Sequence, residues 1–113
     1  MSQNHNQTSL SPVALVNSPG AWVIIDVRKP AARLASGWAI PGSVWRHPFT
    51  AVNWADEFRG GRVVVYCVHG HEVSQAVRGF LADMGIEAMI VEGGFEAWRA
   101  ADLPVAPVES ADV

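Results

Sequence analysis

The residues best suited to chemistry lie in the stretch "VVVYCVHGHEVSQAV", residues 63–77, where the chain's single cysteine, Cys67, is followed by His69, His71 and Glu72. A cysteine at the end of a β-branched run and just before an apolar-periodic segment stands at a strand-to-helix connection. Backbone N–H groups of such a loop, and of the first helical turn, have no intrahelical partners and converge with the helix dipole on one spot. A thiol there loses its proton more readily and becomes a nucleophile. Gly70, in mid-loop, lets the backbone curl in a way a side chain would forbid. Two other readings stand beside this one. Cysteine is often a small buried hydrophobe, although "VHGHE" is too polar to continue a core. Cys67, His69 and His71 also have the types of a zinc or copper site, but three ligands within five residues are crowded, and His5 and His47 stand apart.

The elements that must position this loop follow from periodicity. "WVIID" (22–26), "RVVVY" (62–66) and "IEAMIV" (86–91) are continuous apolar runs of the kind that forms buried parallel strands. Ser11 followed by Pro12 marks a short helix ending near Asn17, and Pro30 to Ser36 forms a second one closed by Gly37. Residues 51–58 read as one helix. Val73, Ala76, Val77, Phe80, Leu81 and Met84 fall at helical spacing before a stop at Gly85. Pro41 and Gly42 make a turn before a brief strand, Gly93 and Gly94 make another, and "FEAWRAA" gives a last short helix. Strands alternating with helices predict an α/β fold, a mostly parallel sheet of about five strands with helices on both faces and ligands beyond the carboxyl ends of the strands. Residues 1–8 are expected as a disordered tail, 9–105 as one domain and 106–113 as a C-terminal tail.

Composition narrows the function further. A chain of 113 residues, half of them hydrophobic, suits one soluble domain. The net charge of −3 and the scattered basic residues disfavour nucleic-acid binding. One cysteine cannot form an internal disulfide, the first residues lack a secretory pattern, and no apolar run has membrane-spanning length. A cytoplasmic protein without nucleic-acid or membrane partners is expected.

"IIDVRKP", "IPGSV", "YCVHGHEVSQAV" and "VEGGFEAW" together resemble the rhodanese-like sulfurtransferases, over about residues 12–105. The matching positions are Asp26, Val27 and Arg28, then Ile40, Pro41 and Gly42, then Cys67, then Gly93, Gly94, Phe95 and Trp98. The resemblance implies a two-step transfer that needs no metal and no organic cofactor. The Cys67 thiolate takes the outer sulfur of a donor such as thiosulfate or a persulfide, and an acceptor such as a thiol, cyanide or a protein thiol then removes it. It also implies that Val68, His69, Gly70, His71, Glu72 and Val73 form the substrate-binding loop, chiefly through backbone N–H groups. Three departures bear on the donor. The loop has no lysine or arginine, and Glu72 repels an anion. The span from Cys67 to Gly85 is about one residue longer than in the usual single-domain members, which places the extra residue either in a longer loop, the kind that phosphatases and arsenate reductases have, or in the helix; Val73 stands near the place of the oxyanion-gripping arginine of those enzymes. Arg33, with Trp38 or Ala39, replaces the family's usual glutamate and histidine. Asp26 is expected to be hydrogen-bonded to Arg28 rather than to act as an acid, and the tryptophans are expected to pack. A persulfide carrier, or a redox or oxyanion-stress sensor, is the alternative use of the same cysteine.

Overall fold

The computed structural model describes residues 8–18 and 20–108. Its elements are β1 (Ser9–Leu10), α1 (Pro12–Val16), β2 (Val23–Asp26), α2 (Pro30–Ser36), β3 (Trp38–Ala39), β4 (Val44–Trp45), α3 (Ala51–Trp54), a 3-10 turn (Ala55–Phe58), β5 (Arg62–Tyr66), α4 (Glu72–Asp83), β6 (Glu87–Val91), α5 (Gly94–Ala100) and β7 (Ala106–Pro107). The five-stranded sheet runs β1-β6-β5-β2-β4, and every pairing in it is parallel.

The central strand explains why "RVVVY" is a continuous apolar run. Val63 and Val65 pack on one face with Val77 and Leu81 of α4, and Val64 and Tyr66 pack on the other with Leu15 of α1 and Phe95 and Trp98 of α5. Both faces are covered, so neither set of alternating side chains is left to water. Each fully buried valine contributes about 1.5–3 kcal/mol relative to exposure.

Strand order also fixes where a ligand can enter. After β2 the chain leaves to one side and returns as the edge strand β4; after β5 it leaves to the other side and returns as β6. The carboxyl ends of β2 and β5 are adjacent, with Asp26 opposite Tyr66, and their outgoing loops diverge there. Such a switch point opens a crevice.

Local signals act as expected at several ends. The Ser11 hydroxyl accepts from the Ala14 N–H at 3.1 Å as the cap of α1, and Gly37 closes α2 in the left-handed region at φ 76. Three expectations need correction. Residues 51–58 do not form one helix: the chain tightens after Trp54 into a 3-10 turn, which sets the Phe58 ring edge-on to Trp54 at 5.8 Å. Ala76 is exposed, whereas Ser74 is fully buried on the inner face of α4. Residues 106–107, expected in a tail, pair antiparallel with Trp38–Ala39 in a second small sheet, and the Val108 N–H donates to the Gly37 carbonyl at 2.9 Å. At the other end, the Thr8 carbonyl accepts from the Ile90 N–H at 2.9 Å. The rest of the expected tails, residues 1–7 and 109–113, lies outside the described residues. Among the described residues no helix is long and apolar enough to cross a membrane.

Candidate active site

Cys67 follows β5 immediately, and only Val68, His69, Gly70 and His71 separate it from the first residue of α4. The loop is held from behind. The carbonyls of Cys67 and Val68 accept from the Phe95 and Glu96 N–H groups at 2.9 and 3.0 Å, which also satisfies the otherwise unpaired amino end of α5. With those carbonyls turned away, loop N–H groups face the sulfur.

Two glycines make this docking possible. Gly70 has φ 73 and Gly94 has φ 65. A Cβ on Gly94 would lie 2.6 Å from both the Cys67 and Val68 carbonyl oxygens, and one on Gly70 would lie 2.9 Å from the Gly94 nitrogen. The double glycine of "VEGGFEAW" thus lets a helix end press directly against the cysteine loop.

Cys67 is 6% exposed and its Sγ lies 3.2 Å from the Ser74 Oγ. Burial pushes its thiol pKa up, but hydrogen bonds from the Ser74 hydroxyl and from the N–H groups of Ser74, Gly70 and His71 outweigh it, so the thiol ionises below its ordinary value. The sign follows directly. Alkylation should rise with pH to a plateau reached earlier than for an ordinary thiol. Between the folded and unfolded values only the unfolded chain holds the proton, so stability rises with pH across that window and the contribution is lost below it. For Ser74→Ala, which loses one donor to the thiolate, iodoacetamide should react about tenfold more slowly at neutral pH, with the pH curve displaced upward. Superimposable curves would deny Ser74 this role.

The sulfur lies at a pocket of about 460 Å³. Val68, His69, His71, Glu72 and Val73 border it together with Cys67, whereas Gly70 turns towards Gly93 and Gly94. The His69 and His71 rings are 6.2 Å apart and exposed, and among the described residues no three His, Cys, Asp or Glu side chains are grouped to hold a metal. The opposite wall comes from the loop after β2 and from α2, namely Arg28, Lys29 and Ala32.

Sequence reasoning missed Ser74 and this second wall. Ser74 carried a signal, since it shares the face of Val77 and Leu81 yet is polar in an apolar stripe. The second wall carried none, because its proximity arises from strand order.

Arg28 does not offer its charge freely to the pocket. It is 1% exposed, its Nε and Nη2 donate to the Asp26 carboxylate at 3.0 and 2.8 Å, and Nη2 also donates to the Trp38 carbonyl at 2.8 Å. Its guanidinium lies 4.5 Å from the Phe95 ring centroid. Asp26 is thus an ion-pair partner, as its sequence position suggested, and it accepts from Arg33 Nε at 3.3 Å as well. Tyr66 sits beneath this group, its hydroxyl accepting from the Ile40 N–H at 3.2 Å. Burial first, and then the Asp26 charge, push its pKa up to about 12, so the phenol stays protonated. Two of the tryptophans pack as expected: Trp98 is 3% exposed and donates to the Pro104 carbonyl at 2.7 Å, and Trp54 donates to the His47 carbonyl at 2.9 Å; Trp22 and Trp45 are half-buried, and Trp38, expected to pack, is exposed.

Comparison with known proteins adds independent information. Residues 13–101 match the family model of the Rhodanese-like domain. A rhodanese-related protein from Thermoplasma volcanium is similar at 26% identity and a TM-score of 0.78, over 88% of this chain and 97% of that one. A protein of unknown function from Rhodopseudomonas palustris, a possible tyrosine phosphatase, has 26% identity and a TM-score of 0.76, over 91% of this chain and 87% of that one. The thiosulfate sulfurtransferase of Pseudomonas aeruginosa has 22% identity and a TM-score of 0.77. The match covers 93% of this chain but 20% of that much longer one, a likeness of fold alone.

Proposed function

Because the chain belongs to the rhodanese-like domain family, we propose that it is a sulfurtransferase in which Cys67 carries the sulfur between a donor and an acceptor. The thiolate attacks the outer sulfur of the donor, the donor's S–S bond breaks, and sulfite or a thiolate leaves with the electron pair. Cys67 retains a persulfide, which a thiol, cyanide or a protein thiol then relieves of its outer sulfur. No metal and no organic cofactor enters either step. Val68 to Val73 supply the binding loop, with N–H groups for the charge that develops on sulfur.

The observation that carries this reading is the place of Cys67, at the edge of an open pocket in the loop between β5 and α4 with its Sγ 3.2 Å from the Ser74 Oγ, where the Ser74 hydroxyl and the N–H groups of Ser74, Gly70 and His71 act to lower its pKa. Those donors favour an anionic sulfur before attack and an anionic persulfide after it. Phosphate-ester hydrolysis is the poorer reading. Val73 stands where the longer-loop oxyanion enzymes place an arginine, and Arg28 is already tied to Asp26.

The test is initial-rate kinetics with donor and acceptor both varied. Double displacement through a covalent intermediate predicts parallel reciprocal plots. Intersecting plots, or turnover of a phosphate ester in place of sulfur transfer, would overturn the reading. Loading of one sulfur without turnover on any acceptor would move the protein to the carrier alternative.

A further inference from the structure

We propose that the pocket selects a zwitterionic low-molecular-weight persulfide, of the amino-acid or small-peptide class, with Lys29 receiving its carboxylate and Glu72 its ammonium. This rests on the sulfurtransferase reading above and specifies the donor.

The argument begins with the charges around the pocket. Arg28 is committed to Asp26 and to the Trp38 carbonyl. Lys29, the next residue, lines the same pocket, is exposed, and has no ion pair among the described residues. Its Nζ lies 5.8 Å from the Phe49 ring centroid, so the ammonium is placed beside an aromatic face. Glu72, in the first turn of α4, lines the pocket from the cysteine-loop side and is exposed, also without an ion pair among the described residues. One residue carrying a cation and one carrying a carboxylate, contributed by the two different walls, thus line the pocket without an ion pair among the described residues.

A small dianion such as thiosulfate meets attraction from Lys29 and repulsion from Glu72, which largely offset each other. A donor carrying both signs of charge satisfies both groups. Volume points the same way. About 460 Å³ is the size of a site for a small organic molecule, and Ala32, Val68 and Val73 give its carbon stem apolar contact. The step balances without an added oxidant or reductant. The Cys67 thiolate bonds to the outer sulfur of R–S–SH, the bond between the two donor sulfurs breaks, and the electron pair leaves on R–S⁻, which takes up a proton from water. The outer sulfur keeps its hydrogen and becomes the terminal atom of Cys67–S–SH.

The experiment measures kcat/KM on the full chain with cysteine persulfide, 2-hydroxyethyl persulfide and thiosulfate as donors, for the parent, Lys29→Gln, Lys29→Arg and Glu72→Gln. The parent should prefer cysteine persulfide over the uncharged persulfide by at least about fivefold, the scale of a solvent-screened ion pair. That ratio should fall by about fivefold in Lys29→Gln and in Glu72→Gln, mainly through KM, and Lys29→Arg should restore it. Glu72→Gln should also improve thiosulfate relative to cysteine persulfide. A ratio near one in the parent, or one that neither variant moves, overturns the assignment while leaving the sulfurtransferase reading standing. Failure of every donor to load Cys67 removes both.

Discussion

Cys67→Ser should reduce sulfur transfer to background, a fall of at least about 10³-fold, while the protein remains folded. The hydroxyl is close in size to the thiol and enters a place already supplied with donors, since Ser74 Oγ and the N–H groups of Gly70, His71 and Ser74 face it. It therefore stays hydrogen-bonded, and stability should change by no more than about 1–2 kcal/mol. What is lost is chemical. The hydroxyl does not ionise in the range where Cys67 does, and oxygen does not form the persulfide on which the second step depends. Rate assays with any competent donor, run beside thermal unfolding, check both halves. A variant retaining more than a tenth of the parent rate would mean that sulfur passes directly from donor to acceptor.

The second large effect concerns stability. Asp26→Ala should destabilise the fold by about 3–5 kcal/mol, a large share of the ~5–15 kcal/mol typical of a domain. Asp26 is 1% exposed and accepts four hydrogen bonds, from Arg28 N, Nε and Nη2 and from Arg33 Nε. Removing the carboxylate leaves the Arg28 guanidinium buried with the Trp38 carbonyl and the Phe95 and Tyr66 rings but without a counter-charge. Uncompensated burial of that cation, more than loss of the pair's own attraction, is the source of the cost. Replacing both partners with apolar residues, Asp26→Leu with Arg28→Met, should therefore be milder than Asp26→Ala alone. Urea midpoints decide this, and a shift in Asp26→Ala equivalent to less than about 1 kcal/mol would contradict the argument.

The contrast between these two residues shows what the sequence makes legible. The placement of Cys67 between a strand and a helix is readable from its neighbours alone, because a buried strand, a glycine loop and an amphipathic helix are each local patterns, and their junction has a known consequence for backbone N–H groups. The pairing of Asp26 with Arg28 is readable for the same reason, being two residues apart. Lys29 and Ala32 were not readable as pocket walls, since they reach Cys67 only through the order β5-β2-β4 in the sheet. The strand at Ala106–Pro107 was missed because two residues are too few for periodicity, and what defines it is pairing with Trp38–Ala39 about seventy residues earlier. Arg33, which departs from the family's usual glutamate, gains its place only in three dimensions, beside Asp26 and 5.6 Å from the Trp45 ring centroid. Local chemistry was visible; long-range company was not.

The central claim is that Cys67 itself holds the sulfur in transit, and intact-mass spectrometry of the protein before donor, after donor and after acceptor tests it most directly. The account predicts a gain of one sulfur atom after donor, located by peptide mapping at Cys67, absent in Cys67→Ser and reversed by acceptor. No gain with any persulfide or thiosulfate donor, or an equal gain in Cys67→Ser, would contradict it.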